Sequence, residues 1–149
     1  MSKPVQITKS LHAWMDVFMH RSMRGWGRFV KTTGLSMPQF SILMQLHYKG
    51  SCGMSEISER SNVTAAAASQ LVEKLVQSEL IERTEDPNDR RAKQLSLSKK
   101  GAKLVEQGIE ERHRWMDELA GNISAEESGL VVEALEILIR AAGHLEEKK

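Results

Sequence analysis

The sequence predicts a mainly α-helical protein that carries one small β-hairpin. Apolar residues recur at helical spacing over most of the 149 residues, and this period predicts helices at both ends and in the middle. Between residues 81 and 97 the period changes to two, because Ile81 to Thr84 and Gln94 to Leu97 have the pattern of short strands around a polar turn. A helix pair followed by strand, turn and strand predicts a winged helix-turn-helix core.

Two helices are predicted before this core pair. The first runs from Thr8 to about Thr32, and Gly34 is expected to end it in a left-handed conformation. Ser36 is expected to cap the second helix, with Pro38 in its first turn. The apolar stripes of the two helices are Leu11, Trp14, Met15, Phe18, Ser22, Trp26, Phe29 and Val30, and then Phe40, Leu43, Met44 and Leu46.

The core helix pair lies between Met54 and Gln77, and Thr64 is the predicted N-cap of its second helix. The inward face is Ala68, Leu71, Val72, Leu75 and Val76, and the outward face is Thr64, Ala65, Ala66, Ala67, Ser69, Gln70 and Lys74. The outward face is small and uncharged at its N-terminal end, so another surface can approach it closely. In a helix-turn-helix these N-terminal residues lie against base edges in the DNA major groove. The alternative is that the alanines only favour helix formation.

The polar turn is Asp86-Pro87-Asn88-Asp89, followed at once by Arg90 and Arg91. Proline fixes φ, and Asn and Asp tolerate left-handed backbone, so this composition predicts a tight turn. Two guanidinium groups on a stiff hairpin suit the narrow and strongly negative minor groove of DNA, and Asp89 can orient one of them. The alternative is a solvated turn with a surface ion pair worth well under about 1 kcal/mol.

Two more amphipathic helices are predicted after the hairpin. Ser98 is expected to cap the first of them, and Ser124-Ala125-Glu126-Glu127 is a capping box for the last. With the N-terminal helix, they provide more apolar surface than one small core needs, so they are expected to pack against a second copy of the chain. A monomer in which all helices cover one core is the alternative. The predicted organisation is a single domain, 1–149, with a winged lobe at 35–100 flanked by dimerisation helices at 1–34 and 101–149.

Charge and composition narrow the class of protein. The net charge is only +1, but residues 1–34 have six basic side chains against Asp16 alone, whereas residues 104–149 have five basic side chains against eleven acidic ones. The N-terminal part is therefore expected on the DNA side and the acidic end away from it. No apolar run approaches the roughly 20 residues of a membrane span, and the start lacks the pattern of a secretory signal. With the single Cys52, these features predict a cytoplasmic protein without disulfides or a membrane partner.

Three stretches resemble the MarR (multiple-antibiotic-resistance regulator) family of winged helix-turn-helix transcription factors. They are LSMPQFSILMQL (35–46), MSEISERSNVTAAAASQLVEKLVQSELIER (54–83) and DPNDRRAKQLSLSKKG (86–101). The helices outside them match in length and order, so the resemblance covers nearly the whole chain. It implies a homodimer on a pseudo-palindromic double-stranded DNA operator, with recognition helices in successive major grooves and wings in the flanking minor grooves.

The resemblance assigns DNA contacts residue by residue. They fall on Thr64, Ala65, Ala66, Ala67, Ser69 and Gln70 of the recognition helix and on Asp89, Arg90 and Arg91 of the wing, and Lys74 shares the same helix face. Many relatives carry an arginine or another bulky polar group on this face, where this chain has mostly alanine. Because of this departure, we expect recognition to depend less on direct base readout and more on the wing and on DNA shape.

The resemblance also implies a small aromatic or amphipathic effector bound between the dimerisation helices and the winged lobe. The candidate contacts are His12, Trp14, Phe18, Arg112, Trp115 and Met116, and their alternative role is plain interface packing. His12, His47 and His113 could meet in a metal site, and Cys52, in a predicted loop between helices, could be redox-active, although structural roles are the preferred interpretation. No catalytic motif is present, so neither enzymatic activity nor a cofactor or metal is expected.

The resulting hypothesis is a dimeric repressor of a pseudo-palindromic operator that is relieved by a small molecule. The alternative is a winged-helix protein-interaction module with weak, non-specific DNA binding. The alanine-rich face of the recognition helix keeps that alternative open.

Overall fold

The computed structural model of the chain describes residues 3–61, 63–85 and 93–146, which belong to two compact units, Met1–His113 and Arg114–Lys149. The elements in chain order are α1 (Lys3–Thr33), α2 (Met37–Lys49), β1 (Ser51–Gly53), α3 (Met54–Ser61), α4 (Ala65–Gln77), β2 (Ile81–Glu85), β3 (Lys93–Leu97), α5 (Lys99–Gly121) and α6 (Ala125–Glu146). No helix in the described part of the chain has both the length and the apolar character needed to cross a membrane.

The sheet has three antiparallel strands in the order β1-β3-β2. Strands β2 and β3 are the predicted hairpin, paired from Ile81 opposite Leu97 to Glu85 opposite Lys93. The predicted class, mainly α with a small β-hairpin wing, is therefore confirmed. The tight turn predicted between these strands lies outside the described residues.

The prediction that Cys52 lies in a loop is wrong, because Cys52 is the central residue of β1 and pairs with Leu95. A three-residue strand that follows Gly50 and ends in Gly53 is too short to show a period of two, so nothing local marks it as a strand. Its backbone partners come from β3, more than forty residues later in the chain. The Ser51 hydroxyl adds a hydrogen bond to Gln94 Oε1 at 2.8 Å.

The main core of the first unit is formed by α2, α3, α4 and the sheet, together with the start of α5. Its buried residues are Ile42, Leu43, Leu46, Cys52, Ile57, Ala68, Val72, Leu75, Leu80, Ile81, Leu95 and Val105. The inward face predicted for α4 is correct, with Leu71 and Val76 half-buried at its edge. This packing fixes the rotation of α4, and therefore decides which of its residues face outward.

A second, aromatic cluster joins α1, α2 and α5. The ring of Phe40 meets Trp26 edge-on at a centroid distance of 4.7 Å and Phe29 at 5.9 Å. Gly108 of α5 allows this approach, since a Cβ there would lie 2.9 Å from Phe40 Cζ. The Arg112 guanidinium is centred 5.6 Å from the Trp26 ring, within cation–π distance.

The helix ends follow the capping residues predicted from the sequence. Gly34 has φ 72°, and the Ser36 hydroxyl accepts a hydrogen bond from Gln39 N–H while the Gln39 side chain accepts from Ser36 N–H. Ser124 and Glu127 form the predicted capping box at the start of α6. Helix α1 begins at Lys3, five residues before the predicted start, because Pro4 is tolerated in a first helical turn.

A dense set of contacts joins the end of α4 to the start of α5. Leu80 N–H donates to Leu75 O and Glu79 N–H to Val76 O, which is a Schellman motif, and Glu79 takes the left-handed position with φ 60°. The Ser98 hydroxyl donates to Glu79 O at 2.6 Å and accepts from Gly101 N–H at 2.9 Å, and Ser98 N–H donates to Leu80 O at 3.1 Å. We call these contacts the Ser98 junction.

We predict that Gly101→Ala lowers the free energy of unfolding by about 1–3 kcal/mol, because a Cβ at this position overlaps the Leu80 carbonyl, a backbone group that cannot move away cheaply. The matched control is Gly27→Ala in α1, where a Cβ meets nothing within 4 Å. That control should raise stability by up to about 1 kcal/mol through helix propensity. Urea unfolding at one protein concentration measures both, and equal stability of the two variants would contradict the junction.

Candidate nucleic-acid interface

The N-terminal turn of α4 presents the residues that the sequence singles out for DNA contact. The N-cap Thr64 has φ −64° and ψ 154°, and its hydroxyl accepts a hydrogen bond from Ala67 N–H at 3.2 Å. Ala65 and Ala66 are exposed and Ala67 is half-buried. No hydrogen bond within the described residues engages the N–H groups of Ala65 and Ala66, so both can donate to an incoming acceptor.

Further along α4, Ser69, Gln70 and Lys74 are exposed on the same outward side. Of the seven predicted recognition-helix residues, all but the half-buried Ala67 are exposed, and Ala66, Gln70 and Lys74 lie opposite the buried Ala68, Val72 and Leu75. This face has only methyl groups over its first turn and hydrogen-bonding side chains over its second.

One carboxylate, that of Glu56, joins α3 to α2 and to β1. Glu56 Oε1 accepts a hydrogen bond from Lys49 Nζ at 2.8 Å and Glu56 Oε2 accepts from Gly53 N–H at 3.1 Å. The hydrogen bond from Lys49, followed by that from Gly53, lowers the pKa of the Glu56 carboxyl below its ordinary value. Gln45 Nε2 also donates to Glu56 O at 3.3 Å, so α2 contacts α3 at two points.

Cys52 lies under this network and is only 2% exposed. Burial, and after it the nearby Glu56 carboxylate, raises the pKa of the Cys52 thiol above its ordinary value. Because the thiolate is the reactive form, such a thiol is a poor redox sensor. Cys52 is therefore best explained as a small apolar side chain of the core.

The root of the wing is joined to the recognition helix by an ion pair that sequence reasoning missed. Arg83 of β2 donates to Glu73 of α4 at 2.6 Å. Both side chains are partly exposed, so the pair contributes at most about 1 kcal/mol, but it links hairpin and helix directly. The wing residues predicted to contact DNA, Asp89, Arg90 and Arg91, lie outside the described residues.

The six residues predicted to contact an effector are divided between the two units. The first unit holds His12, Trp14, Phe18 and Arg112, and the second holds Trp115 and Met116. Of these, Arg112 is engaged by the Trp26 ring. Within the ranges that the structure describes, no group of three or more His, Cys, Asp or Glu residues could hold a metal ion.

The first unit has a cavity of about 370 Å³ that shares none of these six residues. It lies where the end of α1, the turn after α4 and the start of α5 meet. Its lining is Thr33, Leu35, Ser78, Leu80, Lys100, Lys103, Leu104 and Gln107. The sequence offers no signal for it, because the lining comes from three separate segments of the chain.

Comparison with known proteins shows a consistent set of relatives. The model of the MarR family matches residues 35–93. The chain is 30% identical over 107 residues to the HTH-type transcriptional regulator YfiV of Bacillus subtilis, an alignment that covers 72% of this chain and 67% of YfiV. It is 27% identical over 108 residues to the HTH-type transcriptional regulator YdgJ of the same organism, covering 72% of this chain and 66% of YdgJ. The chain thus spans about two thirds of the length of each of these relatives.

The fold extends beyond these alignments. The crystal structure of the transcriptional regulator Tm0710 from Thermotoga maritima superimposes with a TM-score of 0.82 at 24% identity, and covers 99% of this chain and 100% of Tm0710. At this identity the likeness shows a shared fold, and the family follows from the sequence matches. The chain belongs to the MarR family, a family of DNA-binding transcriptional regulators rather than of enzymes.

Proposed function

We propose that the protein is a dimeric repressor that binds a pseudo-palindromic DNA operator with sequence specificity. The observation that carries the proposal is the outward side of α4, where Ala66, Ser69, Gln70 and Lys74 are exposed while the opposite side of the helix is buried in the core. In a helix-turn-helix this is the surface that enters the major groove. As a repressor, the protein blocks a promoter by occupying the operator.

The chemistry of the face suits close approach to the bases. The methyl groups of Ala65 and Ala66 can contact thymine methyl groups, and their N–H groups can donate to a phosphate. Ser69 and Gln70 can hydrogen-bond to base edges, and Lys74 to the backbone. Because no bulky side chain holds the helix away from the groove floor, binding depends strongly on the shape of the groove.

The wing supplies the second contact. In the sequence, Arg90 and Arg91 belong to the segment that connects the paired strands β2 and β3, and the ion pair between Arg83 and Glu73 joins β2 to α4. A guanidinium group delivered in this way enters the narrow minor groove beside the half-site. The contribution of the wing is therefore coupled to the position of the recognition helix.

The dimer is proposed because of the apolar surface of α6. No residue of α6 whose side chain is described is buried, and Leu130, Ile139 and Leu145 are 69, 73 and 71% exposed. Apolar residues cover more than half of the circumference of this helix, whereas Glu126, Glu133, Glu136 and Arg140 fall within about 80° of arc on the remaining side. An exposed apolar surface of this extent is unusual on a monomer, and a second copy of the chain would cover it.

A small aromatic or amphipathic effector is part of the proposal. It relieves repression by favouring a dimer in which the two recognition helices are spaced too far apart or too close for the operator. The predicted contacts are His12, Trp14, Phe18, Arg112, Trp115 and Met116.

The second candidate function, a protein-interaction module with weak DNA affinity, is favoured by one observation, the absence of any large side chain on the first turn of α4. The two functions differ in the ratio between the affinity for the operator and the affinity for a duplex of random sequence. A repressor should favour its operator by at least about a thousandfold at physiological salt, whereas a module should bind every duplex alike.

Selection from a pool of randomised duplexes tests the proposal. The purified protein should enrich an inverted repeat with half-sites about one helical turn apart. Gln70→Ala should change the enriched sequence more than the overall affinity. A pool that remains random after repeated rounds would overturn the repressor in favour of the interaction module.

Ala65→Glu should lower affinity for the selected duplex by at least about a hundredfold, because it places a carboxylate against the DNA phosphates. The same change should leave the fold intact, since an acidic residue in a first helical turn is stabilising by about 0.3–1 kcal/mol. Ala125→Glu, in the first turn of α6, is the matched control and should retain normal affinity. Fluorescence anisotropy measures both, and equal affinities would remove the α4 face from the mechanism.

Arg90→Ala and Arg91→Ala should each weaken binding by about 1 kcal/mol or more while leaving the dimer intact. Arg140→Ala, which removes the same charge from α6, should have no effect on affinity. Anisotropy titration reports affinity, and sedimentation reports the mass of the free protein. Unchanged affinity in both wing variants would exclude the wing from DNA binding.

Leu135→Glu should convert the dimer to a monomer at micromolar concentration, because it places a charge on the apolar side of α6. Arg140→Glu introduces the same residue on the charged side of the helix and should leave the dimer unchanged. Analytical ultracentrifugation distinguishes the two masses, and circular dichroism checks that both variants remain helical. A wild-type protein that sediments as a monomer would contradict the dimer.

A further inference from the structure

Helix α1 carries four cations on one side of its C-terminal half. They are Arg21, Arg24, Arg28 and Lys31. Steps of three, four and three residues place them within about 80° of arc on the helix, which makes them neighbours along one line. All four side chains are exposed, and they lie opposite Ser22, Trp26 and Val30, the residues that α1 buries. We call these four residues the α1 cationic stripe.

No anion within the described part of the chain neutralises the stripe. The ion pairs in that part join Lys49 to Glu56, Arg83 to Glu73 and Lys100 to Glu79, and no hydrogen bond engages a stripe side chain. The acidic residue of α1, Asp16, precedes Arg21 by more than one helical turn.

The stripe is unfavourable for the isolated helix. Like charges three or four residues apart destabilise a helix by about 0.2–0.5 kcal/mol per pair. The stripe also contributes nothing to the core, which lies on the opposite side of α1. An external polyanion would remove this repulsion, so the arrangement is better suited to binding than to folding.

The length of the stripe fits a nucleic-acid strand. Ten residues separate Arg21 from Lys31, which corresponds to about 15 Å along the helix axis. One strand of duplex DNA presents a phosphate about every 3.4 Å along its axis, so about four phosphates face a stripe of this length.

The stripe also ends close to the root of the wing. Thr33 and Leu35, just beyond Lys31, line one cavity together with Lys100 and Lys103 of α5. Helix α5 begins two residues after β3, the second strand of the wing hairpin. The C-terminal end of α1 therefore lies near the start of α5, the helix that follows the second strand of the wing hairpin.

We propose that the α1 cationic stripe binds the sugar-phosphate backbone of the duplex that flanks the operator, beyond the segment contacted by the wing. This inference rests on the DNA binding proposed above and adds a contact that is independent of sequence. Its consequences are tighter binding to operators with long flanks and a steeper dependence of affinity on salt.

The test compares two duplexes built on the selected operator. One ends at the outer edges of the half-sites and the other extends each end by about one helical turn. The wild-type protein should bind the extended duplex more tightly and with a steeper slope of log affinity against log salt. In the variant Arg24→Gln with Arg28→Gln, the slope on the extended duplex should fall by about 2 per bound chain, while the slope on the short duplex stays unchanged.

The matched control is Lys9→Gln with Arg140→Gln, which removes the same charge outside the stripe. Glutamine has nearly the helix propensity of arginine and lysine, so both double variants should fold. Equal slopes on the two duplexes for the wild type, or equal losses in the two variants, would overturn the proposal. Loss of binding to phosphatidylserine vesicles with unchanged DNA binding would also overturn it, since it would identify a lipid surface as the occupant.

Failure of this proposal can be told apart from failure of the proposed function. Because phosphate contacts carry no sequence information, the same comparison can be made on random-sequence duplexes of the two lengths. A protein without operator specificity should still show the stripe effect there. If the protein binds its operator specifically but the flanking DNA contributes nothing, the preference for the operator would remain. Only the difference in affinity between the short and the extended duplex would be absent.

Discussion

The Ser98 junction is the contact on which the rest of the lobe depends. One hydroxyl donates to the carbonyl of Glu79, at the end of the recognition helix, and accepts from the N–H of Gly101, in the first turn of α5. The close approach of Gly101 to the Leu80 carbonyl leaves no room for a side chain. The end of α4, the start of β2 and the first turn of α5 are therefore joined at one point.

Charged side chains and the uncharged start of α4 lie in different parts of the lobe. The N-terminal face of α4 has no charged side chain over its first turn, so it can approach DNA without displacing tightly held water. In the sequence, cations are concentrated outside this segment, in residues 1–34 and at Arg90 and Arg91. The net charge of +1 conceals this division, because the acidic C-terminal part balances the basic N-terminal part.

The sequence was sufficient wherever local chemistry decides the structure. The caps at Ser36 and Thr64, the inward face of α4 and the hairpin all follow from spacing within one element. It was insufficient where distant segments supply the partner, as for β1. Glu79 is a further case, because a left-handed helix end favours glycine, and φ 60° is stabilised here by the hydrogen bond from Ser98 to its carbonyl. No local pattern indicates the cavity between α1 and α5 either.

We propose that two identical α4 faces, one from each copy of the chain, contact DNA at a fixed separation. Hydroxyl-radical footprinting of the wild-type protein on its selected duplex tests this most directly. We predict two protected segments whose centres lie about one helical turn apart, with weaker protection on their outer sides. Uniform protection along the duplex, or a single protected segment, would contradict it.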